Sequence, residues 1–384
     1  MTDTLIYQCD ASVWIEHGEK HEKLDKLDAV IDKSGFFANL EETWEATGGT
    51  KDDFSIVIKP NIMTASIHDD ETSVYTCPQA VEHLIDRIHA AGYHKIAVVE
   101  SRNVYDYAYT GRTVPAVAQM CGYSGCNYDI VDLSTDTPVD VDYGGCLGKD
   151  IAGERWASAD YRISFAKNKT HWQAVYTACL KNVYGCFPRW DKMKLYHGTQ
   201  QEWWAVTILS LELHPVHFGF LDAWVSGDGL TGHVWDPTPK HTHTWLASPN
   251  IFALDWVAGE KMGLNPTKSP MVAQALGAWG PIKITRQGPM DVYRSWDNIA
   301  GFVPPIINTI EKFHNLVYLV TRASTTPGDP RFEPVSKFQL FFALPQELMR
   351  LGQKLGVFQA RWEKFEDQVF DMTPDGGVCP MQRP

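Results

Sequence analysis

At 384 residues, with 44% hydrophobic and 21% charged side chains, the chain has the composition of a globular protein with material for one large or two ordinary domains. A formal net charge of −13 excludes the broad basic face that general nucleic-acid binding requires. No apolar run approaches the roughly 18 residues of a membrane-spanning helix, and Met1–Gln8 lacks the charged and long apolar regions of a secretory leader. A soluble, cytoplasmic protein is therefore expected, with no membrane partner. The eight cysteines include no CxxC pair, so neither a structural zinc site nor an iron–sulfur cluster is expected.

In chain order, residues 4–8 are apolar enough for a first strand, and 20–48 read as helical, ended by Gly48-Gly49. Phe54–Lys59 is a short apolar run before Pro60, a buried strand feeding a loop. Pro78–Gly92 has proline in its first turn, apolar residues at 81, 84, 85 and 88, and a glycine stop, which predicts a helix. Lys95–Glu100 follows as a second buried strand, completing a unit that closes right-handed on a parallel sheet. The pattern repeats with a helix at 114–122 and a strand at 128–133, then an Asp- and Gly-rich excursion or hairpin at 134–155. Tyr161–Ala166 is the next strand, and the following helix is expected to begin near His171 and carry the segment beyond it. Further elements are expected as a helix at 200–211, a strand at 216–224, helices at 251–262 and 270–278, and strands at 281–286 and 316–321. The fold class is α/β: a mostly parallel sheet with flanking helices and a helical C-terminal extension. The expected division is an α/β body over 1–334 and a helical segment over 335–384 packing on it.

Between Arg162 and Lys194 lie seven Lys or Arg and one acid, Asp191, within a chain of net charge −13. Such a basic island points to an anionic ligand. Parallel sheets bind ligands beyond the carboxyl ends of their strands, which here carry Lys59-Pro60-Asn61, Glu100-Ser101-Arg102, Lys167–His171 and Asp222–His233. His171 at a helix start would be held neutral by the helix dipole and suited to acid/base work. One straight helix would then place Lys181 about 15 Å further along its axis, too far for both to act on one atom. Glu100 is a further acid/base candidate. Lys59, Asn61, Lys167, Lys169, Asn182 and Lys192 are candidate anion ligands, together with the backbone at Gly227 and Gly229, because glycine-rich loops let amides approach an anion. His197 and His233 are the candidate metal ligands; the pairs His214/His217 and His241/His243 could bind a metal with a third ligand, but with no acidic ligand at matching spacing they read as solvated loop histidines. Asp255 lies in an apolar helix and needs a partner, for which the island lysines are candidates.

Ile58-Lys59-Pro60-Asn61, Val98–Ser101, Lys167–His171 followed by Leu180-Lys181-Asn182-Val183-Tyr184-Gly185, and Leu246–Asp255 resemble the family called domain of unknown function 362, from about residue 54 to 286. The family name implies no activity; many of its members carry a ferredoxin-like cluster module, for which this chain has no cysteine pattern. More distantly, the spacing His171-x9-Lys181-x15-His197 resembles the core of the nickel-pincer lactate racemases. That likeness implies an acid/base role for His171, attachment of a pincer nucleotide at Lys181 and nickel ligation by His197. The chain departs from that family in three places. Val175–Leu180 replaces a glycine-rich run, Glu100-Ser101-Arg102 stands where a second acid/base histidine follows a strand, and the phosphate loop has no counterpart.

Three functions fit these observations. One is an enzyme acting on a small anionic substrate or cofactor, carboxylate or phosphate-bearing, by acid/base or metal-assisted chemistry, racemase-like or epimerase-like in one version. A second is a carrier for a nucleotide, phosphate ester or metal complex. The third is a subunit docking a redox partner through exposed Trp and acidic surface. A divalent metal or a nucleotide-type cofactor, and a homo-oligomer, are compatible with all of them.

Overall fold

The computed structural model describes residues 5–63, 72–103, 109–197, 202–229, 238–299, 301–306 and 333–334. After a 3-10 turn at Ile6–Gln8, the chain runs β1 (Ala11–His17), α1 (Lys23–Lys33), α2 (Phe36–Thr47), β2 (Ser55–Pro60), α3 (Pro78–Ala90) and β3 (Lys95–Glu100). It continues through β4 (Tyr109–Thr110), α4 (Val114–Cys121), β5 (Asp129–Asp132), β6 (Pro138–Asp142), β7 (Lys149–Gly153), α5 (Glu154–Ala157), β8 (Tyr161–His171) and β9 (Val175–Thr177). The remainder is α6 (Cys179–Val183), α7 (Lys192–Tyr196), α8 (Trp203–Leu213), β10 (Phe218–Asp228), β11 (Thr238–Lys240), β12 (Thr244–Ser248), α9 (Ile251–Lys261), α10 (Pro270–Trp279), β13 (Ile284–Gln287) and β14 (Glu333–Pro334).

The main sheet has the order β13-β1-β12-β10-β8-β2-β3-β5, with β11 and β9 added on β10 and β8. Only β12 runs against its neighbours along that order; the other pairings are parallel. The fold is thus α/β with a mostly parallel sheet. Strand residues alternate between two cores, as a sheet covered on both faces requires. Ile56, Ile58, Ile96 and Val98 pack with α1–α4 on one face. Val57, Ala97 and Val99 face the other way, into a core shared with α6, α8, α9 and α10. Helix α3 buries Val81, Leu84, Ile85 and Ile88, the positions at helical spacing, and α9 starts where the Asn250 side chain accepts the amide hydrogens of Phe252 and Ala253. The 134–155 section contains the antiparallel hairpin β6–β7.

Some expectations are corrected. Residues 6–8 form a 3-10 turn, not a strand, because the buried Tyr7 hydroxyl is tied to the backbone of Val216; the first strand is β1. The helix expected to start at His171 is not there. Instead β8 extends to His171 and folds back through a three-residue turn onto β9, pairing Lys169 with Thr177, Thr170 with Tyr176 and His171 with Val175. Gly227 lies inside β10, aligned with Lys169 on one side and Pro239 on the other, so it is not part of an anion-cradling loop. A Cβ there would stand 2.7 Å from the Ser73 carbonyl oxygen, so glycine is required for backbone approach. The strand expected at 316–321, the helical segment 335–384 and His233 lie outside the described residues.

Gly227→Ala is expected to cost about 1–3 kcal/mol of stability through that overlap. Urea denaturation checks this; an unchanged midpoint with weakened anion binding would restore the ligand-loop reading.

Candidate functional site

Parallel pairing brings the carboxyl ends of β2, β3 and β8 to one edge of the sheet. The centre of that edge is a buried ion pair, Lys59 Nζ to Glu100 Oε2 at 2.8 Å, with the two side chains 1% and 5% exposed. The Lys59 ammonium also donates to the Pro60 carbonyl (2.7 Å) and to Asn182 Oδ1 (3.3 Å). Glu100 Oε1 accepts the Ser101 amide at 3.0 Å, so both carboxylate oxygens are engaged. Asn182 closes the arrangement by donating to the Lys59 carbonyl (2.6 Å) and to Ser164 Oγ (3.1 Å). A Cβ at Gly185 would meet Glu100 Oε1 at 2.5 Å and Lys59 Nζ at 2.7 Å. Gly185 therefore lets the chain cross directly over the pair.

Helix α6 is fixed at its start by Asp255 of α9, whose oxygens accept the amides of Cys179 (2.7 Å) and Leu180 (2.9 Å). Asp255 is thus partnered by backbone amides, not by an island lysine. Burial pushes its pKa up to about 8, against the two amides that favour the carboxylate. Burial likewise pushes the Cys179 and Cys186 thiols well up, so neither offers a thiolate.

Between these two anchors α6 presents Lys181. Part of this residue reaches solvent, yet its ammonium sits among protein atoms, 5.7 Å from the Tyr184 ring centre and 5.6 Å from that of Trp203. Among the described residues it has cation–π contacts and no hydrogen bond or ion pair. Desolvation, then the like charge of Lys59, lowers its pKa to about 8, with Glu100 acting in the opposite sense.

Trp203, at the first turn of α8, gathers the separated residues. The His171 ring centre lies 6.0 Å from it, and His197 stacks on it at 5.4 Å and 13°. His171, Lys181 and His197 therefore share one aromatic wall, because the β8–β9 hairpin removes the helical separation expected between the first two. The His171 Nδ1 accepts the amides of Gln173 (3.2 Å) and Ala174 (3.1 Å), which assigns the proton of the neutral ring to Nε2. His197 Nε2 is 3.1 Å from the Tyr184 hydroxyl. The Trp203 Nε1 and Gln173 Nε2 donors are buried and have no hydrogen-bond partner among the described residues.

Among the described residues, Lys167, Lys169, Lys192, Arg162 and Arg189 of the island have internal partners. Lys167 pairs with Asp222 at 3.0 Å, both side chains 0% exposed. Lys169 donates to Asn61 Oδ1 (2.8 Å) and the Val74 carbonyl (2.6 Å). Lys192 donates to Ser101 Oγ and to the carbonyls of Arg102, Phe187 and Arg189. Arg162 caps the carbonyls of Trp156 and Ala157, and Arg189 pairs with Asp150. Gly229 receives the Thr170 hydroxyl on its carbonyl. This set does not fit the phosphate of a nucleotide cofactor, because the described island cation without an acceptor, Lys181, is a single charge beside two rings.

Among the described residues no three His, Cys, Asp or Glu side chains gather as a metal site. His214 and His217 face opposite cores, against Tyr143 and Tyr161 respectively, and desolvation lowers both pKa values to about 4. The rings of His241 and His243 lie 5.8 Å apart. A cavity of about 410 Å³, bordered by Ser55, Val57, Lys95 and Arg155, opens at the amino ends of β2 and β3, about 17 Å along the strands from Glu100. Trp203 and Tyr184 carry no functional assignment in the sequence reading, although Tyr184 lies inside the Leu-Lys-Asn-Val-Tyr-Gly segment.

The family described as "Domain of unknown function (DUF362)" matches residues 56–260, and the chain belongs to it. Thylakoid-associated protein sll1697 of Synechocystis sp. is 26% identical over 127 residues, 30% of this chain and 36% of that protein; the chain spans little more than a third of that relative's length. The solved lactate racemase apoprotein from Thermoanaerobacterium thermosaccharolyticum aligns with 9% identity and a TM-score of 0.37, over 73% of this chain and 60% of that one.

Two outcomes test the anchors. Glu100→Gln leaves Lys59 buried without a counter-charge and is expected to cost about 3–5 kcal/mol in denaturant unfolding, much of it recovered in Lys59→Met/Glu100→Leu. For Asp255, a folded pKa raised from 3.8 to about 8 means the folded state keeps a proton that the unfolded chain loses. Its contribution is full below about pH 4 and lost as pH rises through about 8. Unfolding free energies of the wild type, measured against Asp255→Asn, should therefore fall between about pH 5 and about pH 8.

Proposed function

We propose that this member of the DUF362 family is an enzyme that seats a small carboxylate-bearing substrate against Lys181 and moves a proton with His171. The chemistry is of the racemase or epimerase kind. The observation that carries the reading is the Lys181 ammonium, which lies beside the adjoining Tyr184 and Trp203 rings and has, among the described residues, no hydrogen bond or ion pair. A desolvated cation without an anion is unfavourable, and the lowered pKa of about 8 is the measure of that cost. A bound carboxylate would supply the missing charge and restore the protonated amine, so ligand affinity and lysine protonation are linked.

The unpartnered Trp203 Nε1–H, on a ring that Lys181 faces, adds a donor and no acceptor, which suits an oxygen-rich ligand. His171 is oriented by two turn amides through Nδ1, leaving Nε2 as the atom that holds or gives the proton. The His197–Tyr184 contact supplies a second donor–acceptor couple beside the same Trp203 ring. In this reading Glu100 is a positioning residue, since Lys59 and the Ser101 amide occupy its oxygens. The enzyme is preferred over a carrier because a carrier needs the cation but not an oriented imidazole beside it.

The test is solvent-deuterium exchange at C2 of lactate and at the C3 methyl of pyruvate, followed by proton NMR, with carboxylate affinity measured by calorimetry. Lys181→Ala should weaken binding by at least about tenfold. His171→Ala should leave affinity near wild type and slow exchange by about 10²–10⁴-fold. Exchange and binding untouched by both changes would show the site to lie elsewhere.

A further inference from the structure

We propose that Lys181 binds its substrate covalently, condensing with the carbonyl group of a small 2-oxo carboxylate to form an imine. This rests on the Lys181 site just described and names the substrate class it takes.

The geometry meets the requirements of such a lysine. Its backbone is held on both sides: Asp255 fixes the amides of Cys179 and Leu180, and Asn182 is tied to β2 and β8. The amine is therefore delivered to a set position without a side-chain partner to be displaced. The Tyr184 and Trp203 rings beside which it lies tolerate the cationic iminium, through the same cation–π attraction that now serves the ammonium. Lys59, fixed by Glu100, keeps a like charge within range and so favours the neutral, nucleophilic amine. At neutral pH a lysine with a pKa of about 8 has more than about a hundredfold as much free amine as an ordinary one.

The step balances as follows. The neutral amine nitrogen attacks the carbonyl carbon, the carbonyl π electrons move to oxygen, and the nitrogen releases a proton as the oxygen takes one up, giving the neutral carbinolamine. The C–O bond then breaks; the hydroxyl leaves as water with a proton drawn from an acid, and the nitrogen lone pair forms C=N. The resulting iminium withdraws electrons from the adjacent carbon, acidifying the C–H that His171 is placed to take. Hydrolysis reverses the sequence and frees Lys181. No oxidant, reductant or metal is consumed.

The experiment is reductive trapping of the full-length chain with pyruvate, and in parallel with glyoxylate, by cyanoborohydride, read by intact mass and peptide mapping. The expected result is one adduct per chain on Lys181, at least about tenfold above any other lysine, with a rate midpoint near pH 8. Lys181→Arg keeps the cation without the nucleophile; it should lose the adduct while retaining carboxylate affinity and a wild-type melting profile. No Lys181 adduct with either acid overturns the imine. If carboxylate binding still depends on Lys181 in that case, the anion-binding reading stands alone; if it does not, both fail.

Discussion

The ion pair between Lys59 and Glu100 organises this edge of the sheet. It joins the ends of β2 and β3, receives Asn182 from α6, and is crossed so closely that Gly185 has no room for a side chain. A buried pair of this kind is poor evidence for net stability, since desolvation offsets much of the attraction. Its effect here is on its neighbour. Glu100 is the nearby carboxylate whose charge reaches Lys181, and it is already matched by Lys59, whose own charge acts on Lys181 more strongly and in the opposite sense. The pair therefore leaves Lys181 effectively without a counter-ion while remaining neutral itself.

That electrostatic arrangement needs rigid backbone to persist. A lysine of ordinary mobility would swing to water and recover its hydration. Here α6 is short, but its first amides are fixed by Asp255 and its Asn182 is bonded to β2 and β8. The aromatic wall of Tyr184 and Trp203 borders the ammonium on one side. Val175 opposite His171, at φ +68°, is a β-branched residue in the left-handed region. That is a costly conformation, and the β8–β9 pairing around it holds the turn that orients His171.

Much of the scaffold was legible in the residues. Proline at the start and glycine at the stop of α3, and the greasy runs ending at Lys59 and Glu100, are local signals that the tertiary structure does not override. The His171 turn was not legible. Its three residues, Trp172-Gln173-Ala174, carry none of the usual turn chemistry, and the β-branched and aromatic Val175-Tyr176-Thr177 is too short to outweigh a helical reading. The basic island misled for a different reason. Charge counted along the chain says nothing of partners distant in sequence: Asp222 for Lys167, Asn61 and the Val74 carbonyl for Lys169, and carbonyls gathered from several turns for Lys192. Gly227 likewise looked like a ligand-binding position, where the constraint is close packing on Ser73; at Gly185 it is close packing on the buried pair.

The resolved charges bear on which anion the proposed site would prefer. Lys59 and Glu100 cancel, Lys167 and Asp222 cancel, and Lys192 is solvated by neutral oxygens. What remains at the wall without a polar partner among the described residues is the single charge of Lys181, half present at about pH 8. A carboxylate, carrying one negative charge, brings that region to neutrality in either order of binding and protonation. A phosphate monoester brings nearly two charges at neutral pH, and the second would lie in a poorly hydrated aromatic setting, where the uncompensated ion is strongly disfavoured. Discrimination of this sort does not require a contact that reads the ligand's shape. It follows from how completely the surrounding cations are already used, and that depends on the same buried pair that holds the strand ends together.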